Sequence, residues 1–165
     1  MATDWTNNDG LRVKFGTNEA TPSVAGSYKR YGEIHGSLEL NLDLTLLADT
    51  NAVMNYQVGL PDNAQIVSVE VLVTEAVTGT NAVLDLGLID SDYSSNHDDD
   101  ALLVALAQTA LADIGDRAIF YQDTSGHGVE VGTILTKKRL ITAGYDTAAF
   151  TAGELKITIS YLIDA

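Results

Sequence analysis

The sequence predicts an all-β protein, an antiparallel β-sandwich of the jelly-roll type with one short helix and an extended N-terminal arm. Three observations lead to this prediction. Apolar and polar residues alternate over several segments, turn-forming residues separate these segments at intervals of roughly ten residues, and helical patterning is confined to one stretch. A chain of 165 residues, 45% of them hydrophobic, is long enough to form one domain with its own core.

The clearest alternation places five leucines at every second position from Leu38 to Leu46, with polar residues between them. Period two is typical of a strand with one buried face. The pattern recurs from Met54 to Leu60 and, after a turn, from Val67 to Val73. Further strands are expected at residues 84–88, 117–121, 132–136, 139–142 and 155–163.

A single strand register would bury three sets of alternating side chains in the core. The first set is Leu38, Leu40, Leu42 and Leu44, the second is Val67, Val69, Val71 and Val73, and the third is Ile157, Ile159, Tyr161 and Ile163. These sets are the predicted core.

One segment departs from the alternation. Three acids, Asp98–Asp100, precede a run of strong helix formers from Ala101 to Ala112, with Leu102, Leu103 and Leu106 on one side. Acidic residues are favourable at the N-terminus of a helix, so this segment predicts a short helix.

The first thirty residues are polar and glycine-containing, and only Leu11–Phe15 among them has a strand pattern. We predict that residues 1–30 form an extended arm and residues 31–165 the β-sandwich domain. Large aromatic rings in such an arm need a surface to pack against. The arm residues expected to contact neighbouring subunits are Trp5, Phe15, Tyr28, Arg30 and Tyr31. The alternative is that they fold back onto their own domain.

The net charge of the chain argues against a nucleic-acid partner. Nine basic and 23 acidic residues give a formal net charge of −14, whereas a nucleic-acid-binding protein presents a positive face. We therefore expect no nucleic-acid partner. The absence of cysteine excludes disulfides, thiolate metal ligands and a cysteine nucleophile. Without a long apolar segment or an export signal, we expect no membrane association, and we expect no cofactor.

Oxygen-bearing side chains occupy alternate positions from Asp90 to Asp98, which is the spacing of the first half of a calcium-binding loop. The position of the turn glycine holds Ser95, and that of the bidentate glutamate holds Ala101, so the pattern is incomplete. A solvated acidic loop that caps the following helix is the favoured interpretation, with no tightly bound metal. The candidate ligands, if calcium binds weakly, are Asp90, Asp92, Asn96 and Asp98.

No catalytic residue is predicted. The histidines at positions 35, 97 and 127 are isolated, and no two of them have the spacing of a metal-binding pair. Ser125–Gly128 places a serine near a histidine, but adjacent residues in a turn cannot supply the geometry of a catalytic triad. An enzyme is the least expected class.

Several turn and strand motifs, spread over most of the chain, carry a family resemblance. They are Asp9–Thr17, Ala25–Tyr28, Leu42–Thr45, Leu60–Pro61, Ile66–Val71, Leu86–Asp90, Asp100–Leu102, Tyr145 and Phe150–Ile157. In these motifs the chain resembles tailed-bacteriophage virion structural proteins, in particular head decoration or cement proteins. The motifs contain no catalytic signature.

The resemblance implies a non-enzymatic virion protein, made in the cytoplasm of the host bacterium, that sits on the capsid surface and bridges neighbouring capsid subunits. It also implies a homotrimer whose partner is the major capsid protein. Two alternatives remain open at this point. One is a tail- or fibre-associated β-module that binds a host glycan, and the other is a calcium-dependent carbohydrate-binding domain that uses residues 90–100.

Overall fold

The computed structural model describes residues 3–6, 12–15, 34–49, 52–53, 58–93 and 97–163. The chain divides into two units, residues 1–32 and 33–165. The strands are β1 (Thr3–Thr6), β2 (Arg12–Phe15), β3 (Ile34–Asp43), β4 (Ala52–Val53), β5 (Gly59–Leu60), β6 (Ala64–Gly79), β7 (Val83–Asp90), β8 (Asp98–Ala107), β9 (Arg117–Phe120), β10 (Arg139–Asp146) and β11 (Phe150–Ile163). No helix in these ranges is long and apolar enough to cross a lipid bilayer.

The first unit contains a small antiparallel sheet. β1 pairs with β2, which places Trp5 opposite Val13 and Thr3 opposite Phe15. The function of residues 1–30 as an extended arm, and the division into that arm and a domain from residue 31, stay predictions.

The second unit is an all-β sandwich, as predicted. The first sheet has the strand order β3-β11-β6-β9, and the second has the order β4-β10-β7-β8, with β5 also paired to β10. Every pairing between these strands is antiparallel. Apolar side chains from both sheets form one buried cluster between them, so the core lies between the two sheets.

The predicted core is confirmed for most of its members. The buried ones are Leu40, Leu42, Leu44, Val69, Val71, Val73, Ile157 and Ile159. Leu38 and Tyr161 are partly buried and pack against the cluster. The alternation of leucines in β3, valines in β6 and isoleucines in β11 therefore identifies the buried faces of these three strands.

Val67 and Ile163 are the exceptions. Ile163 is half-buried and is not part of the buried cluster, and Val67, which is expected to point inward, is 39% exposed. Ser160 of β11 lies opposite Ser68 of β6. The next residue of β11, Tyr161, lies opposite Ile66, so Val67 is an extra residue on β6 and forms a β-bulge. The bulge shifts the alternation by one position, and Ile66 takes the buried place instead.

Residues 121–138, here called the closing loop, cover one side of the sandwich. The amide of Gly128 donates a hydrogen bond to the carbonyl of Leu102 in β8, at 3.0 Å. A side chain at position 128 would collide with the backbone of Ala101, so this close approach requires glycine. The loop thereby pairs with the edge of β8 that faces away from β7.

The closing loop also lies along the start of β6. Two predicted strands fall in or near this region. The one at residues 132–136 is reduced to a single bridge between Ile134 and Gln65. Of the strand predicted from Met54 to Leu60, only Gly59–Leu60 (β5) is a strand among the described residues, and residues 54–57 lie outside the described part of the chain.

The helix predicted from Ala101 to Ala112 is wrong. Residues 98–107 form β8, and a 3₁₀ turn follows at Gln108–Ala110. Two register shifts between β7 and β8 interrupt the alternation, so the buried leucines acquire a spacing that imitates a helix. Because β8 is hydrogen-bonded along both edges, tertiary pairing overrides the helix propensity of its residues.

Candidate interaction face

The outward side of the first sheet carries two uncharged rows of side chains near the start of β3. Cross-strand pairing orders the first row as His35, Leu162, Gln65 and Ile134. It orders the second row as three serines, Ser37, Ser160 and Ser68. Neither row contains Asp, Glu, Lys or Arg. These seven residues and the bulged Val67 are here called the neutral face.

A cleft opens in the neutral face, with a volume of about 290 Å³. Its lining residues are His35, Gly36, Ser37, Val67, Ser160, Tyr161 and Leu162. The ring of Tyr161 lies over Gly36, which is its direct partner across the strands, and a side chain at position 36 would overlap the ring. Gly36 therefore allows the ring to close this end of the core, while the bulge turns Val67 outward beside the cleft.

The other half of the same outward surface is charged. Glu39 lies opposite Thr158, and Thr158 lies opposite Glu70. Lys156 Nζ is 2.9 Å from the Glu39 carboxylate, and Arg117 Nε is 2.7 Å from that of Glu70. Both ion pairs are largely solvated, so each contributes little to stability. The boundary between charged and uncharged surface thus falls between the second row and the row of Glu39.

Among the described residues, three acidic side chains have carboxylate oxygens within 4.8 Å of one another: Asp98, Asp99 and Asp100. A hydrogen bond with the side chain of Asp98 is the main cause that raises the pKa of Asp100, and burial adds to it. Burial is also the main cause that raises the pKa of Asp85, with the charges of Asp146 and Asp99 contributing. The start of β8 is therefore a region of mutually repelling carboxylates.

Asp90, the first candidate calcium ligand, ends β7 and has a side chain that is only 1% exposed. Lys137 Nζ is 2.5 Å from its Oδ2, and Arg139 Nε is 3.3 Å from its Oδ1. Arg139 also reaches Glu130 of the closing loop, at 2.8 Å. A buried carboxylate needs such partners, and this cluster ties the closing loop to the ends of two strands.

The other candidate calcium ligands lie in different settings. Asp92 is exposed just after β7, and Asp98 belongs to the acidic group at the start of β8. Asn96 lies outside the described residues. Weak calcium binding by this loop stays a prediction.

Of the five predicted subunit contacts, two lie in the described part of the chain and three lie outside it. Trp5 and Phe15 belong to β1 and β2 in the first unit, whereas Tyr28, Arg30 and Tyr31 lie outside the described residues. Their contacts with neighbouring subunits stay predictions.

The sequence alone did not identify the neutral face. Its residues come from the start of β3, the start of β6, the closing loop and the end of β11, and only the sheet register brings them together. His35 looked isolated along the chain, yet it lies at the edge of the cleft. The sequence contains only a partial signal, which is the lack of charged residues at the outward positions His35 and Ser37 of β3 and Ser160 and Leu162 of β11.

Comparison with known proteins gives structural neighbours only. No protein-family model matches the sequence, and no curated protein is similar to it. A chain of the "acidic stable capsid structure" of Helicobacter pylori bacteriophage KHP30 is 15% identical, with a TM-score of 0.51, over 81% of this chain and 93% of that one. A chain of the capsid of Ralstonia phage GP4 is also 15% identical, with a TM-score of 0.49, over 79% of this chain and 85% of that one.

The likeness to the KHP30 chain extends over nearly the full length of that chain, so it concerns the whole sandwich and not a shared hairpin. At this identity it describes the fold and leaves the chemistry to be argued from the residues. The protein therefore has a β-sandwich fold similar to that of a chain in a bacteriophage capsid structure.

Proposed function

We propose that this chain is a non-enzymatic structural protein of a phage virion, which sits on the capsid surface and bridges neighbouring capsid subunits. The observation that carries the proposal is the fold similarity to a chain of the KHP30 capsid, together with the virion-protein motifs in the sequence. Fold similarity alone is compatible with many functions, so the surface must supply the remaining support.

The surface supports a role in binding other proteins. The neutral face contains no Asp, Glu, Lys or Arg on a chain with a net charge of −14, and depletion of charged residues is typical of the centre of a protein interface. Its cleft has no acidic or basic side chain in its lining apart from the imidazole of His35.

The partners in this proposal are the major capsid protein and further copies of the same chain. Residues 1–30, with their aromatic side chains, would make the contacts with the shell. Copies would associate into the trimers that the family resemblance implies. A protein that spans subunits in this way stabilises a shell because it must be displaced before the subunits can separate.

The proposal is tested on particles of the encoding phage. We expect the chain to be present in purified virions in a fixed number of copies per major capsid subunit, measured by quantitative mass spectrometry. Particles stripped of the chain should release their DNA at a lower temperature, and adding the purified chain back should restore the original release temperature. Intact particles that lack the chain, or stripped particles with unchanged heat stability, would contradict it.

A further inference from the structure

The neutral face carries a protrusion and a recess in the same row. Ile134 in the closing loop is 59% exposed and lies at one end of the first row. The cleft lies around Leu162, which is separated from Ile134 by Gln65. Since neighbouring strands are about 4.8 Å apart, the protrusion and the cleft are separated by roughly 10 Å. One surface thus offers both an apolar side chain and a pocket large enough to take it.

The charge of the chain limits how two copies can meet. Each copy has a net charge of −14, so close approach through most of the surface would bring carboxylates together. At physiological salt such repulsion acts over about 8 Å. Among the described residues, the neutral face lowers this cost, because its two rows contain no acidic residue. On the side toward Glu39, the acidic residues of the adjoining row, Glu39 and Glu70, are paired with cations.

We propose that the neutral face is the contact between copies of this chain, with Ile134 of one copy seated in the cleft of its neighbour. This inference rests on the self-association part of the proposed function. It does not depend on binding to a shell. Burial of Ile134 and of the exposed part of Val67 supplies the hydrophobic gain, and the serines and Gln65 can form hydrogen bonds at the rim.

The size of the face sets the expected strength of this contact. The face is two rows deep and four segments wide, which is smaller than the roughly 800 Å² per partner of a standard stable interface. Association in free solution is therefore weak and depends on concentration. Attachment of neighbouring copies to one shell would raise their effective concentration and strengthen the contact.

Sedimentation velocity over a wide range of protein concentration tests the contact with the full chain. The first variant, Ile134→Lys, places a charge on the protrusion. Its matched control is Ile114→Lys, which makes the same substitution at an isoleucine that is 70% exposed in the turn before β9, away from the neutral face. A second variant, Ser37→Glu, places a charge in the cleft, and Asn41→Glu is its control on the outward face of the same strand.

We expect Ile134→Lys and Ser37→Glu each to weaken self-association by at least about tenfold, because an unpaired charge would be desolvated in the contact. Both controls should associate like the wild type. A mixture of the two weakened variants should recover association, since the lysine of one meets the glutamate of the other. Equal thermal unfolding of all four variants shows that the fold is intact.

Two results would overturn the inference. Equal association of Ile134→Lys and Ile114→Lys would show that copies meet through another surface. A wild-type chain that stays monomeric up to millimolar concentration would show that copies do not use this face at all. If in that case Ile134→Lys fails to load onto shells, the face contacts the shell protein instead. The proposed virion function is judged separately, by the presence of the wild-type chain in particles.

Discussion

Ala105 is the residue at which a β-bulge interrupts the pairing of β8 with β7. It lies in β8 with φ of 50°, in the left-handed region, where one of the register shifts with β7 leaves it without a direct partner. The register shift leaves the amide of Ala105 without a backbone acceptor on β7. This amide instead donates a hydrogen bond to Asp85 Oδ1 at 2.6 Å. An alanine at this backbone angle costs roughly 1–2 kcal/mol.

Replacing Ala105 by glycine should therefore not destabilise the protein. Glycine removes the steric cost of the left-handed angle but loses about 0.5–1 kcal/mol through greater freedom of the unfolded chain, so Ala105→Gly should be neutral or slightly stabilising. Ala107→Gly is the control, because Ala107 is also exposed in β8 but has φ of −68°. It should destabilise by about 0.5–1 kcal/mol in urea unfolding. Equal losses at both positions would contradict this account.

Asp100 links a local contact to the pH dependence of stability. Its raised pKa, due first to the hydrogen bond with Asp98, means that the folded state holds this proton more tightly than the unfolded chain does. The ionised carboxyl therefore costs stability at pH 7. That cost disappears as the pH falls through the raised pKa to the ordinary value of 3.8.

We expect Asp100→Asn to raise the melting temperature at pH 7, because an amide can donate to Asp98 without carrying charge. The rise should not exceed about 4 °C, since the cluster is partly solvated, and it should vanish below about pH 3.5. Asp123→Asn, which removes a charge from an exposed turn, is the control and should give a smaller change. A gain that is the same at pH 7 and pH 3.5 would show that the carboxyl pair is not its cause.

For individual strands, the alternation of apolar and polar residues correctly predicts which face is buried, because that property depends on one strand alone. The leucines of β3 mark its buried face, because successive residues of a strand point alternately to the core and to solvent. The bulges at Val67 and Ala105 were not predictable, since a bulge exists only relative to the partner strand. The same reason explains the mistaken helix at residues 101–112.

The leucine pattern of β3 gives a direct test of the core. Leu42 is 4% exposed and Asn41, its neighbour, is exposed, so Leu42→Ala should destabilise by about 2–5 kcal/mol and Asn41→Ala by much less. Chemical denaturation of both variants measures the difference. Similar losses at the two positions would mean that the register assigned to β3 is incorrect.

The neutral face could not be read from the sequence for a related reason. His35, Gln65, Ile134 and Leu162 are far apart along the chain and become neighbours only through the register of three strands and the closing loop. Neither hydropathy nor spacing records such a row. The acidic residues 90–100, in contrast, are contiguous, so the sequence alone indicates a candidate metal site there. The structure shows that the carboxylate of Asp90 instead forms ion pairs with Lys137 and Arg139.

At the scale of the whole molecule, the chain has two units, and the core residues belong to the one from residue 33 onward. Deletion of residues 1–30 should therefore leave the unfolding transition of the sandwich nearly unchanged and impair loading onto shells. Calorimetry measures the first effect and co-sedimentation with stripped particles measures the second. A truncated chain that loads as well as the full chain would show that these residues do not contact the shell.

We propose that this chain is a structural component of a phage capsid. The most direct test is cryo-electron microscopy of purified particles of the encoding phage, with and without removal of the chain. We expect density for the sandwich on the outer surface of the shell, across boundaries between capsid subunits, and its loss in the stripped particles. Density confined to the tail, or no density for the chain in intact particles, would contradict the claim.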